Sequence, residues 1–123
     1  MNERKEILII DDDRTNIFAL EAVLRSKKYT CVSADNVGAG FEILSKDKNI
    51  GVVLMDMMMP DMDGYEAIAK MKQNEELKNM PVVAVTAQAM RGDKEKCMKA
   101  GANGYISKPI NVDELVKLLN HLI

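Results

Sequence analysis

The 123-residue sequence predicts a single α/β domain, over residues 1–123, with a parallel β-sheet covered by helices on both faces. Three observations predict this fold class. Short apolar runs alternate five times with longer segments in which apolar residues recur at helical spacing. These runs are continuous in apolar residues, which is typical of strands buried on both faces. The first and third runs both end in aspartate, as expected where parallel strands form a ligand-binding edge.

Composition limits the classes of partner and compartment. With 47% apolar residues, 29% charged residues and a formal charge of −2, the chain has the balance of a globular protein and no broad basic surface for nucleic acid or membranes. The charged N-terminus is unlike a signal peptide, and no apolar run approaches the length of a membrane span. Cys31 and Cys97 have no metal-ligand spacing and are predicted to be reduced core residues. We therefore expect a cytoplasmic location.

The first unit begins with a strand at residues 7–10, which leads directly into three aspartates. Thr15 or Asn16 is expected to cap the helix that follows. The apolar residues of this helix share one face, namely Ile17, Leu20, Val23 and Leu24. The unit therefore predicts a buried strand with acidic side chains at its carboxyl end.

The second unit combines an edge strand at residues 29–33 with a helix over residues 37–44. Gly38 and Gly40 weaken that helix by about 1 kcal/mol each relative to alanine. The pattern of apolar residues still predicts a helix here, because they keep the spacing of one helical face.

The other three units follow the same order of strand and helix. The strands are predicted at residues 52–56, 82–86 and 104–107. The helices that follow them are predicted at residues 65–71, 88–99 and 112–122. Pro60 and Pro109 interrupt the third and fifth units, and Gly101 suits the left-handed end of the fourth helix. Asn111 with Glu114 is expected to form a capping box for the last helix.

Right-handed crossovers place the carboxyl ends of all the parallel strands at one edge of the sheet. The polar residues expected to meet there are Asp11, Asp12, Asp56, Thr86 and Lys108. Carboxylates this close cannot all stay ionised without a cation between them. Oxygen ligands without histidine or cysteine suit Mg²⁺, with Mn²⁺ as the alternative.

The same residues suit phosphoryl transfer, in which one carboxylate is the nucleophile and a metal, a lysine and a hydroxyl stabilise the phosphoryl oxygens. The sequence contains neither GxxxxGK[ST] nor GxGxxG, so nucleotide binding is not supported. We take Asp56 as the centre of the predicted site.

Four segments in this order resemble the receiver domain of bacterial two-component signalling, and the likeness runs from about residue 7 to residue 122. They are ILIIDDD at residues 7–13, LMDMMMPDMDG at 54–64, VTA at 85–87 and AGANGYISKP at 100–109. The resemblance implies a flavodoxin-like (βα)5 three-layer sandwich, whose five parallel strands follow the order 2-1-3-4-5. That order makes the first and third strands neighbours.

The resemblance also implies roles for individual residues. Asp56 would be the phosphoacceptor. Asp12 and Asp56 would bind the metal directly, Asp11 would bind it through water, and Met58 would bind it through its backbone carbonyl. Thr86 and Lys108 would contact the phosphoryl oxygens.

The implied mechanism is a signalling switch rather than an enzyme acting on a separate substrate. A histidine kinase or histidine phosphotransfer domain would supply the phosphoryl group, and the acyl phosphate would later be hydrolysed. Thr86 would move toward the phosphoryl group, Tyr105 would turn inward, and the peptide bond between Lys108 and Pro109 would be cis. The surface of the fourth helix, fifth strand and fifth helix would then engage an effector, and it could also form a homodimer. No nucleic acid and no membrane insertion is implied.

Simpler interpretations apply to several residues taken singly. Three consecutive aspartates can form a solvated turn that caps a helix, and Asp13 is expected to be a plain loop acid. Tyr105 can equally be static packing. The methionines at positions 55, 57, 58, 59 and 62 are best explained as core and loop packing. Met58 and Gln88 lie two residues beyond Asp56 and Thr86, where a bulky apolar Met58 is expected to impede the water that hydrolyses the phosphorylated form.

Two other classes of function remain as alternatives. A metal-dependent phosphatase with an aspartyl-phosphate intermediate would resemble DxDx[TV], but Met58 occupies the place of the second acid. A structural pseudo-receiver would not need the full set of acids, threonine and lysine, and a flavin-binding relative would need a Ser/Thr-rich phosphate loop. The sequence is compatible with a stand-alone receiver and with a receiver that is part of a hybrid sensor kinase. Residues 86–93 weakly resemble the same segment in receivers attached to hybrid sensor kinases.

Overall fold

A computed structural model describes residues 6–59, 64–87 and 92–122 of the chain. Strands and helices alternate throughout these residues. The strands are β1 (Glu6–Ile10), β2 (Thr30–Ala34), β3 (Ile50–Asp56), β4 (Val82–Thr86) and β5 (Gly104–Ser107). The helices are α1 (Arg14–Ser26), α2 (Val37–Lys46), α3 (Gly64–Gln73), α4 (Asp93–Ala100) and α5 (Val112–Leu122). The predicted α/β class is confirmed.

All five strands are parallel and lie in the order β2-β1-β3-β4-β5, as the resemblance implied. The register brings the carboxyl ends of neighbouring strands level with one another. Ile10 at the end of β1 pairs with Met55, the residue before Asp56 in β3. Thr86 at the end of β4 pairs with Ser107, the residue before Lys108. Asp11 and Asp12, which follow β1, and Lys108, which follows β5, therefore lie at the same edge of the sheet as the ends of β3 and β4.

The central strand β3 is buried along its whole length, because it contributes alternate side chains to two separate cores. Val53 and Met55 pack with residues of α2, α3 and α4 on one face of the sheet. Val52 and Leu54 pack with residues of α1 and α5 on the other face. Each fully buried aliphatic side chain stabilises the fold by roughly 1.5–3 kcal/mol. Burial on both faces explains why the strands appear as continuous apolar runs.

The cap of α1 differs from the sequence-based prediction. Asp13 is the capping residue, and its Oδ1 accepts hydrogen bonds from the backbone N–H groups of Thr15 (2.9 Å) and Asn16 (3.4 Å). The prediction of Thr15 or Asn16 as the cap, and of Asp13 as a plain loop acid, was wrong. The helix begins at Arg14, so both predicted caps already lie in its first turn. A carboxylate at this end also interacts favourably with the helix dipole.

The other predicted boundaries agree with the structure to within a few residues. The structure describes α4 from Asp93, and residues 88–91 of the predicted helix lie outside the described residues. Gly101 ends α4 with a φ of 121°, as predicted. Asn111 Oδ1 accepts a hydrogen bond from the Glu114 backbone N–H at 3.1 Å, which provides the asparagine half of the predicted capping box. The Lys108–Pro109 peptide bond is cis.

Both cysteines are free and buried, which confirms the prediction of reduced core residues. Burial also raises the pKa of the Cys31 thiol to about 11. In the part of the chain that the structure describes, none of the helices has both the length and the apolar character needed to cross a bilayer.

The two glycines of α2 face different surroundings. A Cβ on Gly40 would lie 2.5 Å from Cδ1 of the fully buried Ile10, whereas a Cβ on Gly38 would meet only Asn36 Oδ1, at 3.3 Å. Gly40 is therefore needed for the close approach of α2 to β1.

We expect Gly40→Ala to lower the free energy of unfolding by about 1 kcal/mol, because overpacking costs about 1–3 kcal/mol while the helix gains about 1 kcal/mol. Gly38→Ala, in the same helix, should instead raise the free energy of unfolding by up to about 1 kcal/mol. Urea denaturation followed by circular dichroism measures both changes. Equal stabilisation by the two substitutions would show that α2 does not pack closely on Ile10.

Candidate functional site

Three carboxylates meet at the carboxyl edge of the sheet. Oxygen atoms of Asp11, Asp12 and Asp56 all lie within 4.8 Å of one another. Asp11 and Asp12 follow β1, and Asp56 ends the neighbouring strand β3. Asp11 is 2% exposed and Asp56 is 4% exposed, whereas Asp12 is open to solvent. The convergence predicted from the strand ends is therefore observed.

Lys108 brings one positive charge to the two buried carboxylates. Its Nζ lies 3.8 Å from Asp11 Oδ2 and 4.0 Å from Asp56 Oδ1. Its backbone N–H donates to the carbonyl oxygen of Thr86 at 2.8 Å, which ties the loop after β5 to the end of β4. A single lysine does not balance three carboxylates, so the site retains an excess of negative charge.

The pKa of Asp11 reflects this excess. Burial raises the pKa of this carboxyl above its usual range, and the negative charge of Asp56 acts in the same direction. The Asp13 backbone N–H, which donates to Asp11 Oδ1 at 2.9 Å, and the Lys108 ammonium group oppose the change without cancelling it. The ionised form of Asp11 is therefore under-stabilised, and a bound cation would relieve this.

Asp56 is oriented by the backbone that follows it. The Met58 N–H donates to Asp56 Oδ1 at 3.0 Å, while the Met57 N–H donates to the Val85 carbonyl oxygen of β4 at 2.9 Å. The Met58 side chain is 46% exposed, unlike the buried side chains of Met57 and Met59. A metal-binding role for the Met58 carbonyl remains a prediction, and Gln88 lies outside the described residues.

Thr86 lies beside this group of charges, at the end of β4. Its side chain is 2% exposed, and its position in the sheet is set by pairing with Ser107 of β5. A threonine hydroxyl can both donate and accept hydrogen bonds, and contact of Thr86 with a phosphoryl group remains a prediction.

Tyr105 lies in β5 and is half-buried, and its hydroxyl donates to Asp93 Oδ2 at 2.8 Å. Asp93 was not among the residues predicted from the sequence. An acid in the first turn of a helix is common because it complements the helix dipole, so its sequence position alone does not indicate a contact with a distant tyrosine.

The donor set fits a hard divalent cation. The described residues bring together three carboxylates, which are the oxygen ligands that Mg²⁺ and Mn²⁺ prefer. The excess of negative charge and the raised pKa of Asp11 point in the same direction. We find that these residues suit Mg²⁺ or Mn²⁺.

The sequence also matches known proteins over most of its length. A family model described as the response regulator receiver domain matches residues 7–120. The polar-differentiation response regulator DivK of Brucella ovis is 32% identical over 117 residues, which cover 94% of this chain and 93% of DivK. The two-component response regulator ORR3 of Oryza sativa subsp. indica is 29% identical over 117 residues, which cover 95% of this chain and 89% of ORR3.

Solved structures show the same architecture. The receiver domain of the sensor histidine kinase PA1611 from Pseudomonas aeruginosa PAO1 is 32% identical, has a TM-score of 0.85 and matches over 96% of both chains. That structure contains a magnesium ion coordinated in its active site cleft. A response regulator receiver protein from Pseudomonas putida has a TM-score of 0.90 over 98% of this chain and 99% of its own, and at 24% identity it supports the fold.

We expect Mg²⁺ to stabilise the protein, because it would bind the folded carboxylates and not the unfolded chain. At about 100 times its dissociation constant the free energy of unfolding should rise by about 2.7 kcal/mol. Urea denaturation with MgCl₂ and with EDTA measures the difference.

Asp12→Asn and Asp56→Asn should both reduce this gain. Asp13→Asn is the matched control, because asparagine keeps the cap of α1 and the residue adjoins the three carboxylates without belonging to them. A full Mg²⁺ gain in Asp12→Asn would contradict binding at this site.

Proposed function

The chain belongs to the response regulator receiver domain family, and on that premise we propose that it accepts a phosphoryl group on Asp56 from a phosphohistidine of a partner protein. The partner would be a histidine kinase or a histidine phosphotransfer domain. The observation that carries this proposal is the position of the Asp56 carboxylate. It is buried at the end of β3, grouped with Asp11 and Asp12, and 4.0 Å from the Lys108 ammonium group.

Asp56 is the proposed nucleophile. One of its carboxylate oxygens forms a bond to phosphorus while the bond between phosphorus and the histidine nitrogen breaks, and the nitrogen then takes a proton. The Met58 N–H holds the carboxylate in a single orientation, which lowers the entropic cost of attack. Lys108 neutralises charge on the transferred group, and the Thr86 hydroxyl donates a hydrogen bond to it.

Asp11, Asp12 and Asp56 are the residues that would hold Mg²⁺ or Mn²⁺, with the Met58 carbonyl as a further ligand. The bound ion would supply positive charge against the phosphoryl oxygens. The magnesium ion in the PA1611 receiver domain supports this assignment. Without an ion, phosphorylation would add negative charge to a site that already has too much of it.

The proposed output is conformational. Thr86 moves toward the phosphoryl group, Tyr105 turns inward, and the surface formed by α4, β5 and α5 changes. An effector protein or domain recognises the changed surface, and a homodimer through the same surface is a further outcome. Moving the population from 1:99 to 99:1 requires the phosphoryl group to favour the active arrangement by about 5.5 kcal/mol.

In this proposal, residues 1–123 form a single signalling receiver that works in the cytoplasm. It is not an enzyme that acts on a separate substrate. It catalyses its own phosphorylation and dephosphorylation. It acts without direct contact with nucleic acid and without membrane insertion.

Incubation with acetyl phosphate and MgCl₂ should add one phosphoryl group to the wild type, because Asp56 is the activated carboxylate. Intact-mass analysis measures this addition, which Asp56→Asn should lose and the control Asp13→Asn should retain. Unchanged labelling of Asp56→Asn would contradict the proposal. Hydrolysis of a phosphate ester over many turnovers would indicate a phosphatase instead.

We expect Met58→Asn to shorten the lifetime of the phosphorylated form several-fold. Met58 is exposed and its backbone N–H contacts Asp56, so its apolar side chain is expected to impede the attacking water, whereas an amide can hydrogen-bond to that water. Decay of the phosphorylated mass after removal of the phosphodonor measures the lifetime. Met58→Leu is the control and should keep the wild-type lifetime, and an unchanged lifetime in Met58→Asn would remove the hypothesis.

A further inference from the structure

One carboxylate outside the phosphorylation site binds two tyrosines. The Tyr105 hydroxyl donates to Asp93 Oδ2 at 2.8 Å, and the Tyr65 hydroxyl donates to Asp93 Oδ1. The three residues come from different elements, since Tyr65 lies in α3, Asp93 begins α4 and Tyr105 lies in β5. We call this group the tyrosine clamp.

The hydrogen bonds of the clamp are of a strong type. A carboxylate offers separate lone pairs on its two oxygens, so both phenols can donate to it, and hydrogen bonds to a charged acceptor are the stronger kind. The hydrogen bond to Asp93 raises the pKa of Tyr65, and burial with the same carboxylate raises the pKa of Tyr105 to about 12. Both phenols therefore remain donors at neutral pH. The Lys96 Nζ, 4.3 Å from the centre of the Tyr65 ring, adds a cation–π contact.

Among the described residues, the first turn of α4 has no side-chain cap. Among its eight residues Cys97 is the buried one, and the residue before the helix is Gly92, which provides no side-chain cap. An amphipathic helix normally depends on a buried apolar face for its position. The two hydrogen bonds to Asp93 therefore help to fix the start of α4 against α3 and β5.

The two hydrogen bonds have different consequences. A turn that carries the Tyr105 phenol away from Asp93 Oδ2 breaks this hydrogen bond. The Tyr65 bond can persist, and it keeps the Asp93 carboxylate from following Tyr105. The clamp thus favours the arrangement of Tyr105 seen in this structure, in which its hydroxyl contacts Asp93.

We propose that Asp93 is a positioning residue that holds Tyr105 in the arrangement seen here, and that it thereby sets how strongly phosphorylation of Asp56 shifts the α4, β5 and α5 surface. This inference rests on the proposed function, in which Tyr105 turns inward. The ligand-free equilibrium and the response to a phosphodonor both depend on the clamp, because any contact made in only one arrangement changes the population of the other.

Phosphorylation by acetyl phosphate with MgCl₂ tests the proposal. Asp93→Ala removes both hydrogen bonds and should raise the phosphorylation rate roughly tenfold, the population change expected from losing a charged hydrogen bond to Tyr105. In Asp93→Asn the amide oxygen can still accept a hydrogen bond from one phenol, so its phosphorylation rate should lie between those of Asp93→Ala and the wild type. This milder variant keeps the test valid if Asp93→Ala unfolds α4. Asp113→Ala is the matched control, since Asp113 is also acidic and in the first turn of a helix.

A spectroscopic signal separates this role from a general loss of structure. The chain has three tyrosines and no tryptophan, so its intrinsic emission comes from tyrosine. Hydrogen bonding of a phenol to a carboxylate quenches that emission, and Tyr29 instead donates to the Asn120 amide oxygen. Wild-type emission should rise on phosphorylation, whereas Asp93→Ala should start at higher emission and rise little further.

The outcomes distinguish the two proposals. Absence of phosphorylation at Asp56 in the wild type overturns both the proposed function and this inference. Normal phosphorylation of the wild type, with Asp93→Ala matching it in rate and emission, overturns the inference alone. A faster rate in Asp113→Ala equal to that in Asp93→Ala also overturns it, because the effect would then come from a helix dipole and not from the clamp.

Discussion

The site depends on packing that keeps two buried carboxylates, Asp11 and Asp56, beside Lys108 at one edge of the sheet. Like charges in a poorly solvated site destabilise a fold unless the surrounding packing holds them in place. The apolar cores on the two faces of the sheet supply that packing, and β3 contributes to both of them. The unbalanced negative charge of these carboxylates lowers the stability of the fold. The same charge favours binding of a divalent cation.

Strand β5 links this edge to a more distant surface. Lys108, just after the strand, lies beside the carboxylates and donates its N–H to Thr86. Tyr105, within the strand, contacts Asp93 at the start of α4. Three residues along one extended strand therefore separate the charged site from the first turn of a helix. A shift of Lys108 or Thr86 can therefore be transmitted to α4 through β5. In our proposal, the tyrosine clamp determines how far α4 moves in response.

Much of the fold could be predicted because its signals are local. Continuous apolar runs predicted buried parallel strands, and the acids that follow two of those runs predicted a cluster at the sheet edge. The cap of α1 was the error at this level. Asp, Thr and Asn are all good capping residues, so Asp13, Thr15 and Asn16 could not be ranked without knowing that the helix begins at Arg14. Helix propensity also does not predict the role of Gly40, whose lack of a side chain makes room for Ile10.

The sequence by itself determined the alternation of strands and helices and which polar residues end the strands, because burial on two faces leaves a periodic pattern along the chain. The tertiary structure alone decided that Asp93 accepts hydrogen bonds from both Tyr65 and Tyr105. These partners lie 28 and 12 residues away from Asp93, on separate elements. Contacts across such separations depend on how α3, α4 and β5 pack, and side-chain periodicity within one element carries no information about that packing.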